Sequence, residues 1–464
     1  MLDAKKLEEI LNSISIGDLN ALQNVSEGEL EEAKGEFQRT LLQQTIKFAF
    51  DTVPYYRKLF LKNGLSPNDI NDLKDLSKLP VLTKQDIKEN LPDLVSRNVN
   101  IVSMRLTSGT MGIRLPIYVS YEEIRARELM AFITYKLAGQ NPRFCLRIVF
   151  RRGVVSQTPK TPNFMITMPY ILDDPNRIVL VMDELLRQHD IKGKKYKITT
   201  LILPVPWVIK DITYDLQRIG IDPKEVGITE IFCSGGHVTQ HLRDFVRQTW
   251  GAEITNAWSM AEVCGNAVEC NLHSMYHFDL TVIPEVLDPD SKEPINYGKE
   301  GVLTLTTLYP FQQAMPLLRY FTNDLVILSN ETCNCGFHGI SIKKYIGRKE
   351  YCPDLRSILP SSAKRKFLSY IDVLEITDTI PEVDSNQMKI SSYFDGAFTI
   401  KISVMLRRNI TTERAYEIAK AIEERLKETY KEWKECFENC KIRILIELLP
   451  SFYTFRTYGG FFRV

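Results

Sequence analysis

Short apolar runs alternate with longer stretches of helical pattern through the middle of the chain, and this alternation restricts the possible folds more than any other feature. The runs cover residues 144–150, 177–182, 199–204, 228–233 and 302–307. Strands that alternate with helices form a mixed or parallel sheet, which binds ligands at the carboxyl ends of its strands. The sequence therefore predicts an α/β fold, and spaced apolar residues over 1–50 predict a helical lead-in.

The residues after Gly347 follow a different pattern. A chain of 464 residues exceeds what one hydrophobic core usually supports, so a second unit is expected. Strands are expected at 369–376, 387–392 and 398–406, followed by a long helix at 412–438 and a strand at 441–449. This pattern is typical of a small α+β domain. We therefore predict two domains, residues 1–348 and a mobile lid of residues 349–464.

Charge and hydropathy restrict the partners. Lysine and arginine together number 59 against 58 aspartate and glutamate residues, for a net charge of +1. Such a balance creates no general attraction for nucleic acid or anionic lipid, and it favours a small-molecule partner. No apolar run reaches the roughly 20 residues needed to cross a bilayer, and residues 2–9 lack the pattern of a signal peptide. We expect a soluble, cytoplasmic protein without a nucleic-acid or membrane partner.

A loop at residues 107–112, with the sequence TSGTMG, combines three hydroxyl side chains with two glycines. Glycine lets the backbone N–H groups approach phosphate oxygens, and hydroxyls add donors without bulk. The loop is not a Walker motif, because no Lys-Ser or Lys-Thr pair follows the last glycine. On composition alone it is either a phosphate-binding loop or an ordinary polar turn.

The loop resembles the phosphate-binding loop of adenylate-forming enzymes, and its surroundings resemble the phenylacetate-CoA ligase branch of that superfamily. Segments in the order of that branch extend over almost the whole chain: 53–57 (VPYYR), 79–84 (LPVLTK), 234–236 (SGG), 258–262 (WSMAE), 314–325 (AMPLLRYFTNDL) and 346–348 (IGR). Several spaced motifs in the same order are more specific than any one of them. The resemblance implies a large N-terminal adenylate-forming domain with mixed sheets and helices, and a small C-terminal α+β domain.

The resemblance also implies the roles of individual residues. Glu262 would bind Mg²⁺, a hard cation suited to carboxylate and phosphate oxygens, and Asp324 would accept hydrogen bonds from the ribose hydroxyls. The catalytic residues would be Thr107, Glu262 and Arg348. The nucleotide-binding residues would be Ser108, Gly109, Thr110, Gly112, Ser234, Gly235, Gly236, Trp258, Ser259 and Asp324. Taken alone, each acid is equally typical of a solvated surface, and Trp258 of a hydrophobic core.

Cysteine spacing suggests a metal site. The nine cysteines are an odd number dispersed along the chain, which favours reduced thiols or a metal site over disulfides. Two short pairs supply the four ligands of a closed tetrahedral zinc site: Cys270 with His273, and Cys333 with Cys335. His277 and His338 are alternatives to His273. Some relatives in the resembled branch carry such a site, and the alternative interpretation is separate buried cysteines and surface histidines.

Several positions depart from the resembled pattern. Ala261 stands where the family has threonine, Asn323 where it has glycine, and Gly460 where it has the C-terminal catalytic lysine. The lysine that usually follows the phosphate loop is also replaced. Arg456 and Arg463 are candidates to take over part of the role of the C-terminal lysine.

The resemblance implies an ATP- and Mg²⁺-dependent enzyme that converts a small organic carboxylate, aryl or other, to an acyl adenylate and then transfers the acyl group to coenzyme A. The carboxylate oxygen must attack the α-phosphate and expel pyrophosphate, so the site must neutralise charge and align two anions. Two alternatives stay open. In the first, the acyl acceptor is a carrier-protein thiol, a protein side chain or an amine. In the second, the chain binds nucleotide or acyl groups without turnover. A second copy of the chain, as a homodimer, is a further candidate partner.

Overall fold

The computed structural model of the chain describes residues 27–107, 114–124, 145–149, 165–169, 177–191 and 193–450. Within these residues the α-helices are α1 (Glu27–Thr52), α2 (Pro54–Lys62), α3 (Lys84–Leu94), α4 (Arg177–Leu186), α5 (Val208–Arg218), α6 (Pro223–Val226), α7 (Gln240–Trp250), α8 (Tyr370–Asp378), α9 (Thr412–Thr429) and α10 (Lys434–Glu438). Short 3-10 helices cover Pro67–Asp69, Leu73–Lys78, Lys349–Tyr351 and Lys431–Trp433. None of the described helices has both the length and the apolar character that crossing a bilayer requires.

The strands of the same residues fall into one large sheet and three small ones. Their bounds are β1 (Ile101–Leu106), β2 (Pro116–Ser120), β3 (Cys145–Val149), β4 (Met165–Pro169), β5 (His189–Ile191), β6 (Lys194–Tyr196), β7 (Thr200–Leu203), β8 (Glu230–Ser234), β9 (Glu253–Ser259), β10 (Asn266–Glu269), β11 (Tyr276–Phe278), β12 (Val282–Leu287), β13 (Glu300–Thr307), β14 (Tyr320–Ser329), β15 (Ser341–Arg348), β16 (Val383–Phe394), β17 (Phe398–Leu406) and β18 (Ile442–Leu449).

The large sheet is mixed, and its direction changes at β9. Its described strands lie in the order β12, β13, β14, β15, β11, β10, β9, β8, β7, β3, β4. Neighbouring strands from β4 to β9 are parallel. From β9 to β12 every pair is antiparallel. This arrangement confirms the predicted α/β fold, and it places the parallel strand β8 beside β9, the strand at which the antiparallel half begins.

Different helices cover the two halves of this sheet. The parallel half packs against α5 and α7 through a cluster that includes Ile212, Val246 and Ile231. The antiparallel half packs against α1, α2 and α3, which confirms a helical lead-in for the described part of residues 1–50. In each case one apolar face of a helix is removed from water against the sheet, which is the main source of stability for such layers.

The last three strands form a sheet of their own. β16 and β17 are antiparallel, and β17 and β18 are parallel. Helices α8 and α9 pack on this sheet around a core that includes Val373, Ile402, Ile422 and Trp433. The α+β composition after residue 348 therefore matches the expectation, while the division into domains at residues 1–348 and 349–464 stays a prediction.

Two predicted strands are wrong, because both segments are helices. Residues 369–376 form most of α8, and residues 177–182 begin α4. The Ser369 hydroxyl accepts a hydrogen bond from Asp372 N at 3.2 Å, which is a helix N-cap. In α4 the buried residues Val181, Met182 and Leu185 have helical spacing. A short run rich in Val and Ile does not distinguish a strand from a buried helix by periodicity alone.

Candidate functional site

Three of the segments that carried the resemblance lie against one another. The Tyr56 hydroxyl, from 53–57, donates to Pro316 O and accepts from Leu318 N, both at 2.9 Å. Leu82, from 79–84, pairs with β14 through hydrogen bonds of its backbone with Arg319 O and Phe321 N at 3.0 and 2.9 Å. These contacts fix the chain on both sides of the segment that leads to Asp324.

Asp324 is the centre of a buried polar cluster at the meeting of β9, β14 and β15. Its carboxylate accepts hydrogen bonds from Trp258 Nε1 at 3.2 Å and from the Tyr345 hydroxyl at 3.0 Å, and it pairs with Arg348 Nε at 2.9 Å. Asp324 and Arg348 are also direct register partners of β14 and β15. Burial raises the pKa of the Asp324 carboxyl, although Arg348 and both hydrogen bonds favour its charged form. Such a perturbed, buried carboxyl is typical of functional sites.

Glu262 lies in the same charged cluster. Its carboxylate is almost fully buried and pairs with Lys84 Nζ at 3.3 Å. The Tyr320 hydroxyl also hydrogen-bonds Glu262, and burial, followed by the charge of Glu262, raises the pKa of Tyr320. The backbone of Glu262 is held by the buried Gln312, whose Nε2 donates to Glu262 O at 3.0 Å. The carboxylate is thus fixed beside the Lys84 ammonium, and its oxygens are of the ligand type that a hard metal ion such as Mg²⁺ accepts.

Lys84 was quoted in the sequence only as the end of a motif, and its place in the site was not predicted. Thr83 is the N-cap of α3, and its hydroxyl accepts from Asp86 N at 3.2 Å, so Lys84 is the first residue of the helix. A positive charge is unfavourable at a helix N-terminus. A capping box followed at once by lysine is therefore a signal that could have suggested a compensating acid, which is Glu262.

Of the predicted phosphate loop, the structure describes only Thr107 and the residues from 114 onward. Thr107 is buried, its N–H donates to Leu115 O at 3.0 Å and its hydroxyl accepts from Leu115 N at 2.9 Å. These two hydrogen bonds close the ends of a loop. The predicted residues Ser108, Gly109, Thr110 and Gly112 lie outside the described residues, as do Arg456, Gly460 and Arg463.

The Ser234-Gly235-Gly236 turn follows β8 directly and lies beside β9. Ser234 is the register partner of Ala257, the residue before Trp258. Gly235 has φ +73°, and a Cβ there would lie 2.8 Å from Pro204 O, so a side chain at this position meets both strain and a clash. Ser259 ends β9 and is exposed. The turn is therefore next to the end of β9, and Trp258 on β9 reaches Asp324 on β14 through its side chain.

The predicted zinc ligands come together with one exchange. Cys270, Cys333 and Cys335 lie in one cluster, and the fourth member is His277, one of the two alternatives named from the sequence, in place of His273. The ligand atoms of these four residues all lie within 4.8 Å of one another. The His277 ring stacks on Phe337, with the ring centroids 4.0 Å apart, and its Nδ1 is 2.8 Å from Ser341 Oγ.

His273 lies in the turn between β10 and β11 and points elsewhere. Its backbone has φ +54°, and its Nδ1 is 3.2 Å from Glu269 and 3.0 Å from Arg243 Nη1. This left-handed conformation carries the ring away from the cysteines and toward the buried Arg243 and Glu269 pair. His277 faces the cluster because it is on β11.

The chemistry of the cluster fits a divalent soft or borderline cation. Burial acts to raise the pKa of Cys270, but hydrogen bonds from His277 and Ser274 outweigh it and lower this pKa. The pKa of Cys335 is raised, first by burial and then by neighbouring thiols that compete for the negative charge. Three thiols and one imidazole at this distance form a ligand set typical of structural zinc.

Comparison with known proteins finds relatives that carry the name of the family that the motifs resemble. No protein-family model matches the chain. It is 25% identical to the phenylacetate-coenzyme A ligase of Thermus thermophilus, over 93% of this chain and 97% of the relative. It is 26% identical to the phenylacetate-coenzyme A ligase of Escherichia coli K12, over 71% of each. A solved 2-hydroxyisobutyryl-CoA ligase, in the postadenylation state with 2-HIB-AMP, has a TM-score of 0.63 at 16% identity and covers 91% of this chain and 87% of the ligase.

Proposed function

We propose that this chain, which is similar to phenylacetate-CoA ligases in sequence and has the fold of acyl-CoA ligases, activates a small carboxylic acid with ATP and transfers the acyl group to coenzyme A. The observation that carries the proposal is the polar cluster around Asp324, in which motifs far apart in the sequence meet. Similarity to phenylacetate-CoA ligases over almost the entire chain supports the same reaction class. The identity of the acid remains to be found among aryl and other small carboxylates.

In the first half-reaction a carboxylate oxygen attacks the α-phosphorus of ATP, the bond to pyrophosphate breaks, and an acyl adenylate forms. Asp324 would accept hydrogen bonds from ribose hydroxyls. Its carboxylate has about four lone-pair sites and three donors already contact it, so one of these donors would have to be released for two hydroxyls to bind. Glu262 would hold Mg²⁺, which neutralises phosphate charge when bound. Lys84 would add positive charge beside it, and Arg348 would orient Asp324 or reach the nucleotide itself.

In the second half-reaction the thiol of coenzyme A attacks the acyl carbon, the bond to AMP breaks, and the thiol loses its proton.

Thr107 and the glycine-hydroxyl loop at 108–112 would contact phosphate in the first half-reaction. The Ser234-Gly235-Gly236 turn, Trp258 and Ser259 would surround the adenine and the acyl group.

The cluster of Cys270, His277, Cys333 and Cys335 would hold a structural zinc ion. Four protein ligands leave no open position, so such an ion contributes to folding rather than to chemistry. The cluster joins the turn after β10 and strand β11 to the loop that follows β14.

ATP–pyrophosphate exchange with a panel of aryl and fatty acids tests the proposed function. At least one acid should support exchange, and coenzyme A should then consume the adenylate and release AMP. Exchange followed by transfer only to a carrier protein or an amine would favour the alternative acceptor. If no acid supports exchange while ATP still binds, the non-catalytic alternative is the better description.

Variants test the site independently of the acid. ATP with Mg²⁺ should raise the melting temperature, because a ligand specific for the folded state stabilises it. Glu262→Ala or Asp324→Ala should lose most of this shift. The control is Glu331→Ala, which removes an exposed acid of the surface pair with Lys343 and should keep the shift. An unchanged shift in both site variants contradicts the nucleotide-site assignment.

A further inference from the structure

A buried asparagine on β9 lies between the cysteine and histidine cluster and the Ser234-Gly235-Gly236 turn. The Asn256 side chain donates from Nδ2 to Gly236 O at 2.9 Å and to the Tyr276 hydroxyl at 3.2 Å. Its Oδ1 accepts from Ala257 N at 2.9 Å. Every polar atom of this side chain is therefore engaged, and the amide orientation is determined by its partners.

Two residues that directly precede ligands of the metal cluster contact Asn256. Glu269 immediately precedes Cys270, and its Oε2 accepts from Asn256 N at 3.0 Å. Tyr276 immediately precedes His277, and Glu269 and Tyr276 are direct register partners of β10 and β11. A shift of either ligand-bearing element is thus transmitted to the backbone or the side chain of Asn256.

Glu269 is itself held by two further side chains. Arg243 Nη2 contacts its Oε1 at 2.5 Å, and His273 Nδ1 lies 3.2 Å from its Oε2. The Arg243 guanidinium also donates to Ile254 O at 2.6 Å, which attaches the pair to β9. His273, which the sequence suggested as a metal ligand, instead contacts the Arg243 and Glu269 pair.

The turn has little internal freedom apart from the Asn256 contact. Gly235 packs on Pro204 O and Gly236 on the Pro206 ring, at distances that would exclude a Cβ. Both glycines are otherwise exposed, and Gly236 O is the acceptor that Asn256 holds. The direction of the peptide after Gly236 therefore depends on this amide.

We propose that Asn256 is a positioning residue through which the metal cluster sets the affinity of the turn for the adenine nucleotide. This inference rests on the proposed function, because it requires that the turn bind ATP. It predicts that the metal does more than stabilise the fold. Loss of the metal should weaken nucleotide binding by a route that requires Asn256.

A double-mutant cycle between Asn256 and the metal tests the inference, with ATP affinity measured by calorimetry in Mg²⁺ and zinc content by elemental analysis. Asn256→Ala should raise the Kd for ATP about tenfold in the fully metallated protein, because Gly236 O loses the donor that orients it. Tyr276→Phe keeps the packing and should raise the Kd about two- to threefold. Zinc removal by a chelator, or Cys335→Ser, should weaken ATP binding in the wild type and add nothing in Asn256→Ala.

Thr213→Val is the matched control. It removes a buried hydrogen bond of 2.7 Å to Trp250 Nε1 under the same sheet, so it should lower stability without changing the Kd for ATP. Equal weakening by metal loss in the wild type and in Asn256→Ala would overturn the inference. A protein that binds ATP without ever binding zinc would overturn it alone, while a folded wild type that binds no ATP would overturn the proposed function as well.

Discussion

At the scale of single residues, some departures from the resembled pattern keep the local structure and others change the chemistry. Asn323 stands where the family has glycine, and its backbone has φ +64° in the left-handed region. Asparagine is one of the few residues other than glycine that adopts this conformation at little cost. The conformation needed before Asp324 is therefore kept, and this substitution preserves the site.

Replacement of Asn323 tests this explanation. Asn323→Gly should leave the melting temperature and ATP binding nearly unchanged. Asn323→Val should destabilise the fold by about 1 to 2 kcal/mol and displace Asp324, because a β-branched residue does not tolerate positive φ. Thermal denaturation with and without ATP measures both effects, and equal stability of the two variants would contradict the explanation.

The resemblance places Gly460 where the family has a lysine, so this expected departure removes a charge. Adenylation should be slower than with lysine by about 10² to 10³, since one charge-assisted contact in the transition state is missing. Gly460→Lys should then speed ATP–pyrophosphate exchange with the accepted acid and hardly change thioester formation. If it has no effect while Arg456→Ala or Arg463→Ala abolishes exchange, an arginine has taken over the role.

At the scale of elements, α8 docks on the N-terminus of α7. Glu375 accepts from Gln240 N at 3.0 Å, and Asp378 accepts from the Thr239 hydroxyl at 2.5 Å. Thr239 is also the N-cap of α7, so one hydroxyl serves its own helix and the contact with α8. Acidic groups are favourable at a helix N-terminus, where N–H groups are unpaired. Helices α7 and α8, which were predicted to belong to different domains, are thus joined by hydrogen bonds from the N-terminus of α7 to two acidic side chains of α8.

This contact should depend on pH through Asp378. Burial opposes its charge, but Lys210, Thr239 and Ser385 outweigh burial and lower the pKa of Asp378. A lowered folded-state pKa contributes stability above the unfolded value of about 4, and this stability is lost as pH falls through the folded value. Asp378→Asn should therefore destabilise the protein by about 1 to 3 kcal/mol at pH 7. The difference from wild type in denaturant titrations should shrink toward pH 3, and a constant difference would contradict the assignment.

The metal cluster also acts between elements. Purified protein should contain about one zinc per chain by elemental analysis. Cys333→Ser should release it and lower the melting temperature, because metal binding and folding are coupled. His277→Ala should do the same, while His273→Ala should retain the metal, since the His273 ring lies away from the cysteines. Full occupancy in His277→Ala with loss in His273→Ala would reverse the ligand assignment.

At the scale of the whole molecule, the proposed function requires that one site accept first ATP and then the acyl acceptor. We expect residues 349–464 to change orientation between the half-reactions, with the hinge at Glu350. Glu350 lies in the 3-10 helix Lys349–Tyr351 that follows β15 and Arg348. A change there moves the β16, β17 and β18 sheet relative to the large one.

A proline at the hinge tests this expectation. Glu350→Pro restricts the backbone of residues 349 and 350, so at least one half-reaction should slow by about tenfold or more. Glu350→Ala is the control for loss of the carboxylate. Single-turnover measurement of adenylate and thioester formation separates the steps, and normal rates of both in Glu350→Pro would exclude this hinge.

The sequence by itself determined the features that depend on local pattern. Alternating apolar runs predicted the α/β fold, and the motif order led to Trp258, Glu262, Asp324 and Arg348, whose side chains the structure brings into one polar cluster. The fold prediction is confirmed because hydrophobic period is a property of the chain alone, while the roles of these four residues stay predictions. The division at residue 348 and the roles of the loop at 108–112 stay predictions.

Only the tertiary structure decided what depends on contacts between distant residues. Residues 369–376 are helical with a cap at Ser369, and residues 177–182 with a buried helical face, neither of which a short apolar run reveals. His277 rather than His273 joins the cysteines because one lies on a strand and the other in a left-handed turn held by Arg243 and Glu269. Lys84 faces Glu262 across 178 positions of sequence. Such pairings arise from chain folding, whose long-range geometry no local pattern contains.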